Sequence, residues 1–160
     1  MEPFSNLTDI GDLRRTLEVQ PDGFGYERLS DLYIMAGDPE RGLKAARTSL
    51  EFEPRNFAAY LNEATCLSKL EFPDKALKAC DAASSLVPGD PRPRLERSMI
   101  YVADDRFKEA HETLLDLIKR HPDHKLANQL LRHVKHELED RKKWGVEPAS
   151  RKIELHQLAY

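Results

Sequence analysis

The sequence predicts an all-α fold, a superhelix of stacked helix-turn-helix units, from three observations. Tyr33, Leu67 and Tyr101 recur at a step of 34 residues, as do Gly42, Ala76 and Ala110, and Pro54, Pro88 and Pro122. Ser30, Ala64 and Ser98 form a further column at the same step, and it stays small. Two antiparallel helices approach closely only where a side chain is small, so small columns in register mark the helix contacts. The third observation is turn chemistry: capping residues and prolines fall where each predicted helix starts or stops. Self-similarity at such a period is the signature of a helical repeat.

The elements follow in order. Residues 8–19 form a short leading helix, with Thr8 as its cap, Ile10, Leu13 and Leu17 on one side, and Pro21 beyond its end. Repeat one spans 23–56. Its first helix, over about 23–36, carries Tyr26, Leu29, Ser30 and Tyr33 on one side of a 3.6-residue period. Gly37-Asp38-Pro39 makes the turn, and a second helix over about 39–52 carries Gly42, Leu43, Ala46 and Leu50. Repeat two spans 57–90, opens after the cap residue Asn56, and begins its second helix at Pro73. Repeat three spans 91–124, with Asp90 as cap and Pro91 at the first helical position. A longer helix over 124–143, capped by Asp123, carries Leu126, Leu130, Leu131, Val134 and Leu138 and closes the array. Residues 145–160 form a tail. The expected organisation is a single domain over 1–160.

Charged residues are 33% of the chain, and no stretch is apolar enough to span a membrane. The first residues carry neither a basic nor an apolar leader region, and Cys66 and Cys80 are too few for a disulfide framework. A reduced, cytoplasmic setting is expected. The net charge of −3 hides an asymmetry. Residues 1–118 hold 15 basic and 22 acidic side chains, a net of −7, and residues 119–160 hold 10 and 6, a net of +4.

The columns resemble those of the tetratricopeptide repeat family. For repeat one they fall on Tyr26, Leu29, Ser30, Tyr33, Gly42, Ala46, Ser49 and Pro54, and for repeat two on Tyr60, Ala64, Leu67, Ala76, Cys80, Ala83 and Pro88. Repeat three departs from the pattern, with Arg94 in place of a large apolar residue and Leu117 in place of a small one. Glu63 and Arg97 stand where repeat one has Leu29, and a partly buried Glu63–Arg97 pair is expected, with snorkelling of both to water as the alternative.

The resemblance implies a concave groove lined by the first helix of each repeat and a partner segment held in it. The groove columns correspond to Phe24, Glu27, Arg28, Asp31, Ile34 and Met35 of repeat one. They correspond to Leu61, Asn62, Thr65 and Lys69 of repeat two, and to Arg92, Leu95, Glu96 and Met99 of repeat three. Leu95, with Val102 and Ala103, is alternatively accounted for by packing under the closing helix. Gln129, His133 and His136 extend the surface. One subgroup of the family, co-chaperones that grip acidic C-termini of heat-shock chaperones, uses a clamp of basic and Asn side chains. Here those positions hold Glu27, Asp31, Asn62, Arg92 and Glu96, and three carboxylates repel such a ligand. An apolar strip flanked by Glu27, Asp31 and Glu96 suits an apolar or amphipathic segment carrying Lys or Arg.

No phosphate-binding loop, nucleophile elbow or paired metal knuckle is present, so an enzyme is not expected, and neither is a cofactor. His133, His136 and Glu137 have a spacing that metal sites share with many ordinary helices, and no metal is assigned to them. The basic set Arg132, Lys135, Arg141, Lys142, Lys143, Arg151 and Lys152 is interleaved with Glu137, Glu139 and Asp140, which argues against nucleic acid. Two functions remain. One is an adaptor or chaperone-like protein, similar in layout to the small three-repeat secretion chaperones of bacteria. The other is a self-assembling module whose C-terminal tail docks in the groove of a neighbouring copy.

Overall fold

The computed structural model describes residues 9–144, and the tail over 145–160 lies outside them, as does Thr8. Eight helices follow one another with no strand among the described residues: α1 Ile10–Val19, α2 Gly23–Met35, α3 Pro39–Phe52, α4 Phe57–Lys69, α5 Pro73–Leu86, α6 Arg92–Ala103, α7 Phe107–Arg120 and α8 Lys125–Trp144. They fall into two compact units, Met1–Pro88 and Gly89–Tyr160.

Local chemistry explains the boundaries. Asp9 caps α1, accepting from the amides of Gly11 at 2.6 Å and Asp12 at 3.2 Å. A carboxylate there also meets the positive end of the helix dipole. Gly37 takes the left-handed conformation at φ 75° that ends α2, Asp38 accepts from Arg41 N at 3.0 Å, and Pro39 opens α3. Asn56 accepts from Ala59 N at 3.1 Å and starts α4. At α6 the helix begins one residue later than the sequence suggested. Pro91 is the cap residue, while Asp90 still accepts from Arg92 N at 2.9 Å. At α8 the cap is His124 rather than Asp123, because the helix starts at Lys125 and the imidazole Nδ1 accepts from Ala127 N at 3.3 Å.

In the first unit α2 packs on α3, α4 on α5, and α2 and α3 both touch α4, while α1 lies against α2. Leu13 and Leu17 of α1 are buried with Leu29, Tyr33 and Ala45, so α1 covers the apolar side of the first hairpin. The small columns are the contact points: Ser30, Ala64, Ala76 and Ala46 are fully buried. Ser30 Oγ donates to Gly42 O at 2.8 Å, which satisfies its hydroxyl inside the contact. A Cβ on Gly42 would stand 2.9 Å from Cys66 Sγ. Cys66 and Cys80 are both fully buried, as packing residues.

The second unit is built on Val102, Phe107, Ala110, Leu114, Leu117, Ala127, Leu130, Leu131 and Val134, contributed by α6, α7 and α8. Leu117, larger than the residue its column predicts, is fully buried there in a core shared with Ala127, Leu130 and Val134 of α8. Arg94, at a column apolar elsewhere, donates its Nε to Asp116 of α7 at 3.2 Å. Arg141 holds the unit's far end. Its guanidinium bonds Asp105 Oδ1 at 2.9 Å and lies 4.2 Å from the centre of the Phe107 ring.

Candidate partner-binding surface

One face of the first unit is shared by α2 and α4, the first helices of repeats one and two. Its central feature is a hydrogen-bonded group of polar side chains. Asn62 Nδ2 on α4 donates to Asp31 Oδ1 on α2 at 2.8 Å and to the backbone O of Glu27 at 3.4 Å. Asn56 Nδ2 donates to Glu27 Oε2 at 3.4 Å and to the buried Ser49 Oγ at 3.3 Å. The latch was readable in the register, since Arg28 and Asn62 share a column and Asp31 is one turn beyond. The expectation of three repelling carboxylates overlooked it. Asp31 is held above its ordinary pKa chiefly by burial against α4, although the Asn62 amide and the Arg28 charge pull it back down. Asn62, the position that agreed with the clamp pattern, has its amide engaged by an acid of its own chain.

Apolar side chains flank that group. Phe24 is 59% exposed and Met35 82% exposed, well beyond what packing requires. Ile34 and Leu61 are half-buried, and Thr65 donates its hydroxyl to Leu61 O at 3.0 Å. Lys69 is exposed in the last turn of α4.

The repeat-three residues belong to the second unit and are described within it. Arg92 on α6 is turned to Asp90, with Nη2 2.8 Å from Oδ2, and that ion pair holds the Asp90 carboxyl below its ordinary value. Leu95 and Met99 are partly buried against the core shared with α8, Val102 is buried in it, and Glu96 is half-buried. His133 is turned towards the ring edge of Phe107, at 6.5 Å between centroids, and His136 lies 3.4 Å from Asp140 on its own helix. Glu63 is bonded by Arg47 of α3, with Nε 2.9 Å from Oε1. Arg141 of the basic set is engaged by Asp105 and Phe107. Among the described residues no group of three His, Cys, Asp or Glu side chains is placed to hold a metal ion, and no helix is long and apolar enough to cross a membrane.

Residues 71–134 match the family model described as tetratricopeptide repeat, and the all-helical hairpins built on small columns agree with it. The chain is a tetratricopeptide-repeat protein. It is similar to sperm-associated antigen 1 of Rattus norvegicus, with 33% identity over 115 residues, which is 72% of this chain. The chain spans about 12% of that relative's length. Among solved tetratricopeptide-repeat structures it resembles the first such domain of human RPAP3, at TM-score 0.68 and 16% identity, covering 76% of this chain and 96% of that one. It also resembles the TPR2B domain of yeast Sti1, determined as a complex with an Hsp70 peptide, at TM-score 0.65 and 19% identity, covering 72% and 97%. At these identities the likeness is one of fold.

Proposed function

We propose that this tetratricopeptide-repeat protein is a non-enzymatic adaptor, chaperone-like in use. It holds a segment of a partner protein on the face shared by α2 and α4, in the cytoplasm. The observation that carries the reading is Asp31, a solvent-exposed acid whose carboxylate is oriented by Asn62 between exposed apolar side chains. An acid whose charged form is disfavoured where it stands is a mark of a binding site. Phe24 and Met35 supply apolar contact, and Asp31 with Glu27 selects Lys or Arg on the ligand. The yeast Sti1 domain, which carries a peptide, supports the use of this fold for such a ligand.

The test compares the full chain with a Met35→Glu/Asp31→Asn variant as baits in cell lysate, read by mass spectrometry, with circular dichroism confirming that both are folded. A partner held by the first and lost by the second is the expected result. Retention of the same partner by both baits would refute the assignment of the face. A second reading is favoured by the charge balance, −7 over residues 1–118 against +4 over 119–160. In it the basic C-terminal segment docks on the acidic face of another copy, and truncation at residue 144 would convert a dimer to a monomer.

A further inference from the structure

The opposite side of the first unit, formed by α1, α3 and α5, carries two pockets related by the repeat itself. The first, about 470 Å³, has Tyr26, Leu29 and Tyr33 of α2 for its floor, Ala45 for a wall, and Arg14, Arg41 and Lys44 around its mouth. The second, about 290 Å³, has Tyr60 and Leu67 of α4 for its floor, Ala79 for a wall, and Arg47, Lys75 and Lys78 around its mouth. Tyr26 and Tyr60, Arg41 and Lys75, Lys44 and Lys78, and Ala45 and Ala79 are pairs at the 34-residue step. The pockets are therefore one site built twice.

Their charge is not that of an ordinary solvated helix face. Each mouth has three cations and one carboxylate, Glu18 in the first and Glu63 in the second, and Glu63 is already bonded by Arg47 at 2.9 Å. Arg41 reaches Asp38 at 3.4 Å, outside the pocket lining. Among the described residues Arg14, Lys44 and Lys78 have no ion-pair partner, and all three are exposed. Core packing does not ask for this arrangement. The repeat does not ask for it either, because repeat three has Glu109 and Glu112 where Arg41 and Lys44, and Lys75 and Lys78, stand in the first two. At these two columns the cations are confined to repeats one and two, in a chain of net charge −3.

We propose that this face is a second binding surface, opposite in sign to the first, and that it takes an acidic protein segment which seats one aromatic or aliphatic side chain in each pocket. The aromatic floor and alanine wall accept a side chain by apolar burial, and the cations around each mouth receive the carboxylates flanking it. A nucleic-acid strand would use the rim and leave the floors unfilled. The chain then binds two segments of contrasting charge on opposite faces of one unit, which is how an adaptor bridges two partners. This surface does not depend on the α2–α4 face being a site.

Fluorescence anisotropy of the full chain tests it with three labelled probes: a glutamate-rich dodecapeptide carrying two phenylalanines, the same peptide with both replaced by serine, and an oligodeoxythymidylate of equal charge. The phenylalanine peptide should bind at least about tenfold tighter than the other two. Lys44→Glu with Lys78→Glu should weaken it about tenfold or more, and Met35→Glu, on the other face, should leave it unchanged. Lys44→Gln with Lys78→Gln replaces the charge reversal should circular dichroism show that variant unfolded. The proposal is overturned by absence of binding, by equal binding of the serine peptide or the oligonucleotide, or by indifference to the lysine substitutions.

Discussion

Gly42→Ala places a methyl group where the small column meets the next repeat, and the structure sets both its sign and its remedy. In an open helix the change would stabilise by roughly 0.5–1 kcal/mol, because alanine loses less backbone freedom than glycine. Here the added Cβ would stand 2.9 Å from Cys66 Sγ, a fully buried sulfur. Overpacking of that kind costs about 1–3 kcal/mol. The net expectation is a loss of about 1 kcal/mol, equivalent to a fall of roughly 4–8 °C in the melting temperature of a domain this small. With Cys66→Ala in place, the nearest atoms become Ile34 Cγ1 at 3.4 Å and Ser30 O at 3.6 Å, which a small shift accommodates. In that background Gly42→Ala should stabilise by about 0.5–1 kcal/mol, so the substitution changes sign. Urea unfolding followed by circular dichroism, for the wild type, both single variants and the double variant, measures the coupling. Both residues lie in the unit Met1–Pro88, so the transition of that unit is the one to read. An effect of Gly42→Ala equal in the two backgrounds, within about 0.5 kcal/mol, would refute the packing account of the small column.

Asn56→Ala removes the cap on Ala59 N and the donor to Ser49 Oγ, and should cost about 1–2 kcal/mol by the same measurement, with Asn56→Asp restoring the cap but not the donor. Arg141→Ala should destabilise the second unit by about 1–2 kcal/mol, since it removes both the Asp105 pair and the contact with Phe107. Arg141→Lys should recover less than half, because an ammonium cannot serve a carboxylate and a ring face as the planar guanidinium does. Asp31, raised above its ordinary pKa, makes the folded state bind more protons than the unfolded one between the ordinary and the raised value. Stability should therefore fall as pH rises through that window, and the penalty should persist at neutral pH. Asp31→Asn keeps an acceptor for Asn62 and should abolish that slope, leaving stability at neutral pH equal or higher. A drop in neutral-pH stability would mean that the charge supports the fold.

What was legible in the sequence was whatever depends on register. The helix starts at Pro39, at Phe57 after its cap Asn56, and at Pro73 follow from chemistry within one turn, and the buried columns at Ser30, Ala64, Gly42 and Ala76 follow from a step that repeats. Caps at the irregular ends were misplaced by one residue, Asp9 for Thr8 and His124 for Asp123, since adjacent polar residues compete for the same amides and only the helix start decides between them. The bond from Arg47 to Glu63 was not legible in the columns. Arg47 is close because α3 packs on α4, a matter of how long side chains reach across helices rather than of columns.

The sequence by itself determined the repeat, its phase and which side chains are small, because a period survives any detail of rotamer or packing. Only the tertiary structure decided which polar groups meet. It joined Asp31 to Asn62 and Arg141 to Asp105 across separations of 31 and 36 residues, where the last few ångströms depend on helix approach distances that the small residues set together. It also decided that the cations of α1, α3 and α5 ring two tyrosine-floored pockets rather than scatter over a surface, since a pocket is a property of the gap between helices and no single residue encodes it.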